Sequence, residues 1–455
     1  MNSRLNPKTS MPHTQPDFEE LVQLALSHAK KQGASDAAAE VSESGGLSVS
    51  VRKGNIETVE KTQDRSLGVT VYAGNARGSA STSDLSAAAI RETVQAAWNI
   101  AKYTANDEAA GLPDEADLAV EQPDLELHRP WNISSEEAAE LAIEAEAAAL
   151  DYSKQITNSE GAGVDTYQGR FVLANSRGFM GGYPYSRHGM SVTAIAGKGN
   201  NMHRDYWYTS DRYPERLAKG TDVGMYAAQR ALSRLSARRI GTGKYPVLFE
   251  APLALGLLGA LTQAISGGAL YRKSTFLLDS LGKQVMADHL QISENPFIKG
   301  ALGSSAFDDE GVQTRARQLL TDGILNGYLL STYTARKLGM RTTGNAGGSH
   351  NLLLSSSLTR RTDDLPAMLK KMGTGILVTE LIGQGVNYVT GDYSRGAFGY
   401  WVENGEIQHA ITEFTIAGNL RDIFLNIVGV GSDVITRGSK TTGSILIDSM
   451  AIAGQ

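Results

Sequence analysis

Eight histidines are scattered along the 455 residues, at His13, His28, His128, His188, His203, His289, His350 and His409, and no two stand three or four apart. A helix therefore cannot offer two imidazoles to one zinc ion from neighbouring turns. Cysteine is absent, which removes thiolate ligands, thiol nucleophiles and disulfides together. No phosphate loop or GxGxxG falls between a strand pattern and a helix pattern, so nucleotide chemistry has no support. Three clusters remain. Phe307-Asp308-Asp309-Glu310-Gly311 packs carboxylates before a glycine, as a loop binding a hard cation or an amine would, but without the alternating spacing of a calcium loop. A solvated turn is the plainer reading of it. Asp392-Tyr393-Ser394-Arg395 sets hydroxyls among charges, which suits contact with a substrate or partner; Ser394 has no neighbouring His or Lys to act as its base. Asn201–Tyr213 gathers His203, Arg204 and four aromatic residues, Tyr206, Trp207, Tyr208 and Tyr213, a composition of peptide-binding and protein interfaces, although strand alternation could make half of them core. The residues singled out for substrate or partner contact are thus Asp308, Asp309, Asp392, Tyr393, Arg395 and Trp207, and none receives a catalytic or metal-binding role.

The elements that must carry these clusters follow from periodicity. Asp17–Lys31 reads as an amphipathic helix, followed by short strands at Leu47–Val51, Ile56–Glu60, Leu67–Tyr72 and Arg77–Ser81 and a helix over Ser86–Tyr103. A proline-bearing acidic stretch then reads as an extended connector. Ser134 and Glu137 form a capping box for the next helix, and strands resume at Arg170–Asn175, Phe179–Gly181, Ser186–Ala196 and His203–Thr209. Helix followed by meander occurs twice, which suggests a decayed repeat. A helix over Asp222–Arg238 would place Arg230, Arg234 and Arg238 on one face. From Lys244 the pattern is mostly strand. Apart from a helix at Ala251–Ser266, one more is expected, over Asp363–Lys371. Gly375–Leu381, Val386–Thr390 and Ala397–Glu403 read as three consecutive strands, the last with strict alternation before the Asn404-Gly405 turn.

The fold class is therefore α+β: an N-terminal helix-plus-antiparallel-sheet region, a connector, and a mostly antiparallel β C-terminal domain. The expected divisions are a disordered tail over 1–16, an α/β segment over 17–104, the connector over 105–133, a central α/β segment over 134–240 and a β-rich domain over 241–455. A net charge of −6 argues against sequence-independent nucleic-acid binding. The first residues lack the apolar core of a signal peptide, and the longest apolar run, Leu253–Leu261, is far below the ~20 residues that span a bilayer. A cytoplasmic protein without membrane contact is expected.

Several stretches together resemble the TldD/PmbA family, the modulator of DNA gyrase family, and specifically its PmbA (TldE) branch. They are GDYSRGAFGYWVENGE at Gly391–Glu406, YRKSTFLLDSLGK at Tyr271–Lys283, FDDEG at Phe307–Gly311, ARKLG at Ala335–Gly339 and TIAGNL at Thr415–Leu420. The likeness runs along nearly the whole chain after the tail. It implies a metallopeptidase system in which the TldD-type chain carries zinc on an HExxxH helix, with a later cysteine completing the ligands. The corresponding helix here has no His, Glu, Asp or Cys from Ala251 to Leu270, and Leu258, Gly259 and Gln263 stand where zinc and base residues would be. Leucine has no lone pair for a metal, and glycine cannot move a proton. The resemblance then implies a non-catalytic PmbA/TldE subunit with no cofactor of its own. Its heterodimer partner would be a TldD-type chain holding zinc, and its substrates peptides or unfolded segments, as in microcin leader trimming and antitoxin degradation. A homodimer is a further option. Two other readings stay open: an independent hydrolase using Ser394 or the Asp308–Glu310 cluster, and a non-proteolytic binding protein acting on gyrase-related or RNA-regulatory partners.

Overall fold

Small and β-branched residues at alternating positions make the first long strand, β1 (Asp36–Arg52), in which Ala37, Ala39, Val41, Leu47, Val49 and Val51 are buried on one side. The computed structural model describes residues 11–454. Helix α1 (Gln15–Gln32) precedes β1, and β2 (Asn55–Ala73), β3 (Ala76–Thr82) and α2 (Ala87–Tyr103) follow it. The same series returns as α3 (Ser135–Leu150), β4 (Ile156–Asn175), β5 (Met180–Ala196), β6 (His203–Asp211) and α4 (Gly220–Ser233). The strand order is β3-β2-β1-β4-β5-β6, antiparallel throughout, so two helix–meander–helix units meet where β1 pairs with β4 from Ala38↔Asn175 to Val51↔Ala162. Under α1 and α2, Phe18, Val22, Ile90 and Val94 close a core on Val41, Val69 and Val172. Glu146 of α3 is fully buried and accepts from the amides of Lys53 and Gly54, which fixes the tip of the β1–β2 hairpin.

Several boundaries differ from the periodicity reading. Leu47–Val51 and Ile56–Glu60 are parts of strands of 17 and 19 residues. Gly45-Gly46 and the polar run through Ser66 hold no apolar alternation to read, yet main-chain pairing carries the strands through them. Part of the stretch expected as a disordered tail is ordered. Thr14 caps α1 in a capping box with Asp17, and Gln15 and Pro16 form its first turn, whereas residues 1–10 lie outside the described residues. The acidic connector is irregular but not solvated throughout, since Ala109, Leu112, Ala119, Leu125 and Leu127 are buried. Helix α4 ends at Ser233, so the shared arginine face does not form: Arg230 pairs with Asp205 at 3.2 Å, while Arg234 pairs with Glu380 at 2.5 Å.

By contact the chain divides into two units, one reaching Ser233 and taking in Lys299–Leu302 and Ala306–Gln313, the other holding Arg234–Ile298, Gly303–Ser305 and the chain from Thr314. The second unit begins with β7 (Gly243–Phe249), α5 (Ala251–Ala264), α6 (Gly267–Tyr271), β8 (Leu290–Asn295), β9 (Arg317–Thr321), β10 (Ile324–Leu325), α7 (Thr332–Lys337) and β11 (Asn351–Ser356). It continues with α8 (Leu365–Met372), β12 (Gly375–Ile382), β13 (Asp392–Glu403), β14 (Glu406–Asn419), α9 (Leu420–Leu425), β15 (Ile427–Val430), β16 (Ile435–Arg437), β17 (Lys440–Thr442) and β18 (Ile445–Ala453). One sheet runs β10-β9-β8-β11-β17-β16; the other runs β14-β13-β12-β7-β18-β15, and an added β14–β18 pairing joins five of its strands into a closed ring. Among the strand pairs of the described residues, β7–β12 and β11–β17 are parallel and the others antiparallel, in keeping with a mostly antiparallel domain. Val386–Thr390 is a loop and not a strand, because β12 pairs directly with β13 from Gly375↔Val402 onward. The short helices α6, α7 and α9 escape the periodicity reading, since helices of five or six residues show less than two turns of pattern.

Candidate functional site

Helix α5 is apolar on all sides because it is enclosed on nearly all sides: Ala254, Leu257, Leu258, Leu261 and Ala264 lie in the main core of the second unit. Glu250, Pro252 and the preceding strand β7 set its start, and Ser266 ends the apolar run by capping α6. The C-terminal end of α5 opens on a cavity of about 460 Å³. Gln263 lines it from α5 and Ser266 from the cap of α6, Ser331 and Thr334 from the start of α7, the Asn345–Ser349 loop from another side, and Ser439 and Lys440 from the β16–β17 turn. Gly267 lets α6 approach closely, since a Cβ there would lie 2.2 Å from Thr334 Oγ1. Leu258 points into the core at 1% exposure, Gly259 offers no side chain, and Gln263 alone of the three reaches the cavity.

Beneath the loop, Glu294 is 1% exposed and its carboxylate accepts from Arg317 Nε at 2.7 Å, Asn345 Nδ2 at 2.9 Å and the His350 amide at 2.9 Å. His350 donates from Nε2 to the Gly344 carbonyl at 2.9 Å. The ionisable groups nearest the loop are therefore engaged in holding it. What faces the cavity is hydroxyl, amide and ammonium. Zinc takes imidazole, thiolate or carboxylate donors, so these residues do not fit that ion. Among the described residues no three His, Asp or Glu side chains are grouped as metal ligands.

Of the six residues singled out from sequence, Trp207, Asp308 and Asp309 belong to the first unit and Asp392, Tyr393 and Arg395 to the second. Asp308 is 3% exposed, and its Oδ1 accepts from the amides of Glu310 and Val312, both at 2.9 Å. Its carboxylate builds the turn. Gly311 completes that turn at φ 81°, with Phe179 so near that a Cβ would lie 2.5 Å from its ring. Phe307 packs edge-on against Phe179 at 4.9 Å between centroids. Asp309 is exposed; burial, with a smaller contribution from the Asp309 charge, raises the Glu40 carboxyl above the usual range. Trp207 packs edge-on against Tyr226 at 4.6 Å, with the Arg230 guanidinium 5.4 Å from its ring, so it joins β6 to α4.

Asp392, Tyr393 and Arg395 begin a strand instead of forming a free loop. Asp392 accepts from Thr390 Oγ1 at 2.6 Å and from Asn419 Nδ2 at 3.2 Å. Tyr393 is core, 5% exposed, and burial pushes its phenol up to about 12 against the opposing pull of Arg395. Ser394 is exposed and its hydroxyl has no hydrogen-bond partner among the described residues, so nothing activates it as a nucleophile. Ser349, Ser439 and Lys440 were not singled out from sequence, because Gly-Gly-Ser and Gly-Ser-Lys segments carry no periodic signal; only the fold places them beside Gln263.

Comparison with known proteins places this geometry in a wider set. Family models match residues 37–101 as PmbA/TldA metallopeptidase domain 1, 128–235 as the PmbA/TldA metallopeptidase central domain and 242–454 as the C-terminal domain. Metalloprotease PmbA of Escherichia coli O157:H7 is 50% identical over 439 residues, covering 96% of each chain. The Metalloprotease PmbA homolog of Haemophilus influenzae is 47% identical over 438 residues, again covering 96% of each. Among solved structures, a putative modulator of DNA gyrase from Bacteroides thetaiotaomicron superposes with a TM-score of 0.91 at 26% identity, covering 97% of this chain and 100% of that one. TldE from Thermococcus kodakarensis shares the fold, with a TM-score of 0.84 at 20% identity over 95% and 100% of the two chains.

Proposed function

This chain belongs to the PmbA/TldA metallopeptidase family, the TldD/PmbA family of the motif resemblance, and to its PmbA branch; from that premise we propose that it is the metal-free subunit of a two-chain peptidase. The observation that carries the proposal is the donor set at α5. Leu258, Gly259 and Gln263 occupy the positions implied for zinc ligands and base, and the cavity beside them presents no carboxylate, imidazole or thiolate. A TldD-type partner would supply the zinc, and with it the Lewis acid for peptide hydrolysis. This chain contributes walls and polar contacts that hold an extended substrate. Its substrates are peptides and unfolded segments, with leader trimming of microcin-type peptides and removal of labile antitoxins as the particular reactions, in the cytoplasm.

Peptide hydrolysis should be assayed with the chain alone, with its HExxxH-bearing homologue alone, and with both. Chelator-sensitive cleavage that requires the homologue, with both chains co-eluting, is the expected result. Chelator-sensitive cleavage by the isolated chain would overturn the proposal. The hydrolase reading finds no support in the geometry of Ser394, whose hydroxyl lacks a base. A non-proteolytic role at gyrase, suggested by the name of the Bacteroides structure, predicts instead a partner recovered from cells that lack the homologue.

A further inference from the structure

The cavity beside α5 combines two kinds of polar lining. Some of it is already engaged: Thr262 donates to the Gly259 carbonyl at 2.8 Å, Ser266 to the Gln263 carbonyl at 2.9 Å, and Ser331 and Thr334 cap α7 reciprocally. Asn345 is held by Glu294 and the Gly348 carbonyl. The rest is not. The side chains of Gln263, Ser349, Ser439 and Lys440 line the cavity and have no hydrogen-bond or ion-pair partner among the described residues. Lys440 brings the one full charge to the lining. Its Cε lies beside Gly259 of α5, 3.8 Å from where a Cβ would stand, an ordinary contact distance. At Gly348 a Cβ would meet nothing within 4 Å, so the loop backbone also borders open space.

An ammonium, two hydroxyls and an amide left without partners around one space match an anion with several acceptor lone pairs, and the planar carboxylate is the group a peptide offers. At about 460 Å³ the space exceeds what a lone inorganic ion fills and falls in the range of sites that hold an organic ligand. We infer that this cavity is a carboxylate-binding subsite, in which Lys440 is the counter-ion and Gln263, Ser349 and Ser439 orient the group, and that the carboxylate arrives on a peptide as its free C-terminus or as an Asp or Glu side chain. The choice of a peptide carboxylate rests on the function proposed above; the choice of an anion rests on the cavity alone.

The test uses the full-length chain without any partner and three fluorescent peptides of one neutral sequence. One carries a free C-terminus, one a C-terminal amide, and one the amide with a single internal glutamate. Binding is followed by anisotropy at low salt for the wild type and for Lys440→Ala, Lys440→Arg and Lys440→Glu. A charge-assisted contact predicts that at least one acid-bearing peptide binds the wild type about tenfold or more above the doubly neutral one. That preference should survive in Lys440→Arg, vanish in Lys440→Ala and reverse in Lys440→Glu. A gain confined to the free terminus assigns the chain end, and an equal gain for both acids assigns carboxylates in general. Equal affinity of the wild type for all three peptides, including no binding of any, overturns the inference, as does a preference that persists in Lys440→Ala. Mass spectrometry of the same samples keeps the two claims apart: cleavage by the isolated chain would refute the metal-free subunit while leaving the carboxylate preference to stand or fall on the binding curves.

Discussion

The Phe307–Gly311 loop and the cavity beside α5 are opposites. The loop has three consecutive carboxylates, yet Asp308 is buried and bound to its own backbone amides. The cavity has a single charged side chain and otherwise neutral residues, yet four of its polar groups have no partner among the described residues. Residue type states what chemistry a segment could perform; the hydrogen-bond network decides whether the group remains available to perform it.

Mutations that remove engaged groups should therefore damage the fold, and mutations in the cavity should not. The largest effect is expected at Glu294. Glu294→Ala leaves the half-buried Arg317 without its carboxylate and the His350 amide without its acceptor, while Asn345 Nδ2 keeps only the Gly348 carbonyl, and removal of one partner from such a pair costs about 3 kcal/mol. A clearly lower urea midpoint checks this, and an unchanged midpoint would mean that the loop wall is held by other contacts. Next comes Asp308→Ala, with a loss of about 2 kcal/mol from two orphaned amides. Asp308→Asn keeps the Oδ1 acceptor and should lose much less, which separates a turn-building role from a charge-based one.

His188 extends the contrast to pH. Its Nε2 donates to the Arg129 carbonyl at 2.8 Å, and its Nδ1 accepts from Thr166 Oγ1, also at 2.8 Å, so both ring nitrogens are satisfied in the neutral form. Burial holds its pKa below the usual histidine range. The unfolded chain then takes up the proton first. The stabilisation is complete above the unfolded pKa of about 6.5 and is lost as pH falls below it. Melting temperature should drop between neutral and mildly acidic pH, and His188→Gln should flatten part of that slope. Smallest of all, Lys440→Ala should change stability by less than about 0.5 kcal/mol, because the side chain supports no contact that the fold needs.

The regular elements were legible where burial is one-sided. The amphipathic helices α1 and α2 and the capping box at Ser134 follow from residue order, whereas in β13 the alternating letters mark a strand but not a single buried face, since Ala397, Phe398 and Gly399 are all buried and the pairing register shifts at Ala397/Gly399 and Trp401/Val402. The long sheet strands were not, because their middle sections are polar on both faces and persist through pairing with residues more than a hundred positions away, as at Gly45↔Gln168. The site divides the same way. The absence of metal donors along α5 can be read directly from its letters. That Ser349, Ser439 and Lys440 converge on the end of that helix depends on loops far apart in the chain, and no local pattern records it. The aromatic run around Trp207 divides as strand alternation allows: Tyr206 is exposed, while the half-buried Trp207 packs edge-on against Tyr226 of α4.

The most direct test of the central claim is the zinc content of the isolated chain after equilibration with excess zinc and extensive dialysis, measured beside the HExxxH-bearing homologue and the mixture of the two. The account predicts only trace metal in the isolated chain and stoichiometric metal wherever the homologue is present. Stoichiometric, chelator-removable zinc in the isolated chain would contradict it.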